Sequence, residues 1–235
     1  MKLHRIVVSL LFLCVNVRAI GFAQYFDPEE TESGRGRYIS GGAVLSDFRP
    51  LSTNSRPDSI MIRYSTWVPM ISARQDLFTI YFGYGTFDLG GTRKSTVIFG
   101  LEVGTAFPLS RGSDLSVPVS LGVNYTRAGS PGPEKETFNI ASTGIGLGIM
   151  YRAQGSRFDF RISASEFFHY SFEGFNTGAG FSAATVGDVT LWAKNWLVLN
   201  GVLFGYRFRY QTWAMNNKNL NYRSLSHGPF IGLSF

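Results

Sequence analysis

The sequence is short of the residues on which most site chemistry depends. Cysteine occurs once, as Cys14, so neither an internal disulfide nor a cysteine-held metal can form. Apart from His4, the only histidines are His169 and His227, without metal-ligand spacing. Gly-x-Ser-x-Gly is absent, and "GLGIMYRAQG" (146–155) has the glycines of a strand rather than of a phosphate loop. No metal and no cofactor are expected. Long apolar runs are missing too: no uncharged stretch reaches the ~18 residues of a membrane-spanning helix. No helical stripe of useful length appears either.

The N-terminus carries the longest apolar run. Lys2 and Arg5 precede "IVVSLLFLCVNV" (6–17), and Gly21-Phe22-Ala23 follows. A basic start, a short apolar core and a Gly-x-Ala end make a secretory signal peptide over 1–23, cleaved after Ala23. Leu13, before Cys14, is too large for a lipid-anchored precursor. Losing Lys2, Arg5 and Arg18 with this segment lowers the formal charge from +6 to +3. That balance is too mild to imply nucleic acid as a partner. Residues 24–37 ("QYFDPEETESGRGR") are acidic, then rich in Gly and Arg, and read as a flexible leader.

Residues 38–235 are built for strands. Phe 21, Tyr 11 and Trp 4 suit extended chain, and 27 glycines exceed the usual share of about 7%. Alternation and turn signals predict strands at about 38–49, 58–71, 76–89, 95–108, 114–127, 137–152, 157–171, 179–193, 196–212 and 223–235. That makes about 10 strands, or 8 if the Gly- and Ala-rich 179–193 is loop. Connections near 72–75, 109–113, 153–156 and 194–195 are short. Those near 50–57, 90–94, 128–136, 172–178 and 213–222 are mostly longer and rich in Gly, Pro, Asn and charge. Their alternation predicts an all-β, up-and-down meander closed into a single antiparallel transmembrane β-barrel. Its turns on the leader's side would be periplasmic and short, its outer loops longer.

Which face is wet follows from the strands themselves. In "SVPVSLGVNYTR" (116–127), Val117, Val119, Leu121, Val123 and Tyr125 alternate with Ser116, Pro118, Ser120, Gly122, Asn124 and Thr126. The polar rows here, at 98–106 and at 144–152, are small and nearly uncharged, with only Glu102 and Arg152 ionisable. A solvated surface carries about 25–35% charge. The polar face therefore reads as the inside of a narrow barrel, and Val117, Val119, Leu121, Val123 and Tyr125 as lipid-facing. Aromatic residues toward the strand ends suit the headgroup girdles. Arg63, Glu102, Arg157, Asp159, Arg161, Arg207 and Arg209 are assigned the inward parity, as a lumen charge network with Glu102 and Asp159 as its acids. Pro118 must leave one ladder bond unmade.

The last segment, "HGPFIGLSF", puts Ile231, Leu233 and Phe235 on one face and Gly232 and Ser234 on the other. Here the chain resembles bacterial outer-membrane β-barrels as a class. The resemblance implies that Ile231, Leu233 and Phe235 form a C-terminal signal read by the barrel assembly machinery, although Phe230 stands where that signal often has glycine. The Ala23-Gln24 junction and "GLGIMYR" (146–152) resemble the small "porin family" barrels of the Bacteroidota. The likeness implies the outer membrane of a Gram-negative bacterium, with its lipids around the wall, and says little about activity.

Three readings of function stay open. The first is a structural or interaction subunit of an outer-membrane assembly, its arginine-rich lumen largely filled by side chains including Trp67, Trp192 and Phe167. The second is a narrow anion-preferring channel lined by Arg63, Arg157, Arg161, Arg207 and Arg209. The third rests on "FFHYSFEGF" (167–175), where His169 and Ser171 share a strand face. It resembles the His-x-Ser of outer-membrane lipid A deacylases, in which the histidine is base for the serine. That resemblance implies an acid about a dozen residues on, where Ala183 stands; Glu166 or Glu173 would have to substitute. An omptin-like protease needs paired aspartates and an Asp-His couple, which Asp88, His169 and Glu173 do not supply. The first reading is preferred, and no enzyme activity is expected.

Overall fold

The computed structural model describes residues 37–51, 62–75, 78–110, 113–129, 137–173, 179–195, 201–216 and 221–234. The segments expected to be signal peptide and leader, up to residue 36, and Phe235 lie outside them. Ten strands are present: β1 (Tyr38–Pro50), β2 (Tyr64–Gln75), β3 (Phe78–Leu89), β4 (Thr92–Pro108), β5 (Leu115–Gly129), β6 (Phe138–Gln154), β7 (Phe158–Glu173), β8 (Ala179–Lys194), β9 (Gly201–Met215) and β10 (Tyr222–Ser234). Each pairs antiparallel with its neighbours in sequence, and β1 pairs with β10 to close the barrel. Closure leaves no sheet edge, so the ladder can satisfy the backbone without water. The Gly- and Ala-rich segment is a full strand, β8, which settles the count at ten.

Prolines mark where the ladder lapses. The β5–β6 pairing skips Val117 and Pro118, the β1–β10 pairing skips Gly228 and Pro229, and the β2–β3 pairing ends at Met70, next to Pro69. Each proline lacks the N–H that a rung on that side would use. Connections do not alternate as strictly as the sequence suggested. The β3–β4 turn at the loop end is only Gly90-Gly91, both at positive φ (59° and 76°). Two consecutive left-handed residues make the tight turn that suits the twist of a hairpin.

The two faces of the wall invert the usual order of a soluble protein. Leu121 is 61% exposed and Leu147 57%, whereas Asn124 is 4% exposed and Ser142 and Ser171 are wholly buried. Val117, Val119, Val123 and Tyr125 share the outer row of β5 with Leu121, and Ile231 and Leu233 share the outer row of β10. Such a wall belongs in hydrocarbon.

Three inward assignments need correction. Arg63 lies just ahead of β2, is exposed, and has the outward parity, and Trp67 on β2 is 57% exposed on the outer face. Both faces of "YSTWVPMISA" mix apolar and polar residues, so alternation alone does not orient β2; the buried Tyr64, Val68 and Ser72 do. Arg157 also lies outside its strand, exposed in the β6–β7 turn, where its carbonyl accepts the Lys194 amide at 2.9 Å. Some strand charges are outward. Asp47 and Arg49 pair at 2.5 Å near the loop end of β1, and Glu166 sits between Ala164 and Phe168 in the outer row of β7.

Candidate functional site: the barrel lumen

The lumen is layered, and the layer at the loop end is apolar. Phe48, at 0% exposure, is its hub. Its ring stacks on Tyr64 (5.3 Å) and Tyr222 (4.8 Å) and meets Phe138 edge-on at 4.9 Å. Phe138 meets Trp213 at 5.1 Å, and Tyr64 stacks on Phe87 at 4.2 Å. Ile62, Ala128, Ile140 and Met215 belong to the same cluster. The two tyrosines keep their hydroxyls satisfied, Tyr64 with Thr96 Oγ1 (2.8 Å) and Tyr222 with the Ile62 amide (3.3 Å). Six aromatic rings from six strands thus plug one mouth of the barrel. Ring pairs of this kind are worth about 0.5–1.5 kcal/mol each beyond the area they bury.

Below the plug the wall turns polar, and side chains of different strands hydrogen-bond to one another. Ser142, Ser171 and Ser182 form a hydroxyl chain with spacings of 2.7 and 2.9 Å. Gln211 Nε2 reaches Asn124 Oδ1 at 3.3 Å, and Asn124 Nδ2 meets His169 Nε2 at 3.1 Å. Arg209 donates to Gln211 Oε1 (3.3 Å) and to the Tyr81 hydroxyl, and lies 3.7 Å from Glu102. A cavity of about 20 Å³ between this network and the plug has room for one water.

Inner glycines receive the rings that fill this layer. A Cβ on Gly146 would lie 2.5 Å from Phe167, whose ring stacks on His169 at 5.5 Å, while a Cβ on Gly122 would meet the same ring at 3.4 Å. Gly146→Ala is therefore expected to cost ~1–3 kcal/mol through overpacking. Gly122→Ala should be close to neutral, because added chain stiffness offsets a mild contact. Urea unfolding of the two variants in micelles, followed by gel migration, checks the difference.

The layer at the terminus end is ionic. Asp188 accepts from Arg161 (2.9 Å), Ser163 (2.8 Å) and Thr190 (3.3 Å). Arg207 lies over the Phe230 ring at 5.2 Å. Lys194 Nζ binds Asp159 at 2.6 Å and the Gly155 carbonyl at 2.6 Å, tying β8 to the β6–β7 turn, with Arg152 3.8 Å from the same carboxylate.

Of the sequence-derived residues, the structure places Glu102, Asp159, Arg161, Arg207 and Arg209 on the inner face. His169 and Ser171 are both inward and buried beneath the plug, with Asn124 as the histidine's side-chain partner and Ser142 and Ser182 as the serine's. Glu166 faces outward and cannot orient His169; Glu173 lies at the loop end of β7, opposite Ile140.

No family model matches the chain, and no curated protein matches it. Among solved structures it is similar to the outer membrane protease OmpT from Escherichia coli, at 10% identity over 88% of this chain and 99% of that one, with a TM-score of 0.40. It is similar also to the CymD monoaromatic hydrocarbon channel, at 11% identity over 86% and 89% of the two chains, TM-score 0.29. The toluene transporter TodX of Pseudomonas putida gives 8% identity over 86% and 89%, TM-score 0.31. The resemblance is one of barrel to barrel. It assigns no activity to any residue here.

Sequence reasoning missed the plug, Asp188 and Arg74. The plug had a usable signal: Phe138 and Ile140 share a parity with Ser142 and Gly144, the small inner residues of β6. Arg74 fell in an expected turn, whereas β2 runs on to Gln75 and carries it on the inner face.

Proposed function

We propose that the protein is an integral outer-membrane barrel with a closed lumen, acting as a structural or interaction subunit of an outer-membrane assembly rather than as an enzyme or a diffusion pore. The plug of Phe48, Tyr64, Phe87, Phe138, Trp213 and Tyr222 carries this reading, because these buried rings pack on one another at the loop-end mouth. The apolar outer wall and the likeness of the C-terminal segment to outer-membrane barrels support the location, with the termini on the periplasmic side and the barrel assembly machinery and outer-membrane lipids as partners. The run at 146–152 adds the porin-family likeness of the Bacteroidota.

In a planar bilayer the purified protein is expected to give no unitary conductance, while its gel migration changes on heating as a folded barrel's does. After mild solubilisation it should co-purify with other outer-membrane proteins. The second reading, a narrow anion path, is favoured by the inward Arg161, Arg207 and Arg209. Discrete conductance steps from the unaltered protein would select it instead.

A further inference from the structure

The terminus-end half of the lumen holds more positive charge than its own acids answer. Arg74, Arg161 and Arg207 all interact electrostatically with a single carboxylate, Asp188. Arg74 and Arg161 also face each other as like charges inside the wall. Guanidinium groups gathered out of bulk water are costly unless a counter-charge lies among them. Nearer the plug, Arg209 stands against Glu102.

A separate observation points the same way. Four buried polar atoms at this end have no hydrogen-bond partner: Tyr38 OH, Trp192 Nε1, Arg161 Nε and Ser234 Oγ. Every one of them can donate, and two can do nothing else. Tyr38 gathers the set. Its hydroxyl lies beside the Arg74 and Arg161 guanidiniums without a well-formed bond of its own, its ring meets Trp192 edge-on at 6.4 Å, and its backbone pairs with Ser234. Donors lacking acceptors, next to surplus positive charge, call for a negatively charged acceptor.

We propose that the lumen binds a small anion among Tyr38, Arg74, Arg161 and Trp192. The ligand is a halide or a single carboxylate. It is supplied as a free ion from solution. The site needs no path through the barrel, and stands whether the plug opens or not.

Bromide is the probe. The full chain in micelles is titrated with sodium bromide against sodium gluconate at constant ionic strength, and the unfolding midpoint is read. The midpoint should rise saturably. Tyr38→Phe should weaken the apparent affinity roughly tenfold, since a hydrogen bond to a charged partner is lost. Glu102→Gln, which lies outside the pocket, should leave the affinity unchanged. A crystal grown with bromide should show its anomalous peak among the four side chains. No saturable rise in the parent chain, an equal rise in Tyr38→Phe, or a crystal without that peak would each overturn the proposal. Tyr38→Phe removes only a hydroxyl, so the test does not depend on an arginine variant folding.

Discussion

Replacing Phe48 and Trp213 together with alanine is expected to turn a silent barrel into a conducting one. Phe48 touches four other rings of the plug, and Trp213 packs on both Phe48 and Phe138. Removing both deletes the largest fully buried side chains of the lumen. Each truncation costs about 3–5 kcal/mol of packing and cavity energy. The ladder around the wall is untouched, so the barrel should persist at a lower unfolding midpoint. What opens is a polar route past Asn124 and Gln211 to Arg209, Arg207 and Arg161. Single-channel steps should be small and anion-selective, and Arg207→Gln in the same background should reduce that selectivity. A folded double variant that stays silent would move the block from the plug to the layer beneath it.

Asp188→Asn should be the most damaging single change in the ionic layer. The carboxylate accepts from three side chains, and both it (14% exposed) and Arg161 (17%) are largely out of solvent. Removing one member of such a pair leaves an uncompensated charge and typically costs ~3–5 kcal/mol. The loss here is not confined to one pair, because Arg74 and Arg207 share the same acid. Urea unfolding in micelles should show the variant well below the parent. Adding Arg161→Gln should restore part of the loss, since it removes the stranded charge. Full additivity of the two changes would show that Arg161 and Asp188 do not depend on each other.

Much of the fold is legible because a narrow barrel imposes opposite demands on its two faces. In β4 to β7 the inner rows are rich in Gly, Ser and other small or polar residues and the outer rows in Val, Leu, Ile and aromatics, so period-two alternation orients most of each strand by itself. Closure follows from strand number and from the absence of any other way to cover the edges. Alternation fails where that contrast fails. In β2 each face carries both apolar and polar residues, so Trp67 and Tyr64 could exchange sides without changing the pattern. In β8 small residues (Gly, Ala, Ser and Thr) recur on both faces along much of its length, which hid Asp188. The plug was hidden for a different reason. An inward aromatic at a strand end looks, in sequence, like an outward aromatic of the headgroup girdle. Only the parity of its small neighbours separates the two. Convergence of Phe48, Phe138 and Trp213 from β1, β6 and β9 is a property of the closed barrel and of no single strand.

The central claim is that the exposed apolar face of the wall meets lipid while the polar face is sealed inside. Since Cys14 is the sole cysteine, a Cys14→Ser chain accepts single spin labels at chosen positions. Labels at Leu121, Leu147 and Ile149 are compared with labels at Asn124 and Ser142 in lipid vesicles, using oxygen and a water-soluble nickel chelate as relaxants. The outer three should be relaxed strongly by oxygen and hardly at all by the chelate, and the inner two weakly by both. Strong relaxation of Leu121 and Leu147 by the chelate would mean that the apolar face is wet, and would contradict the account.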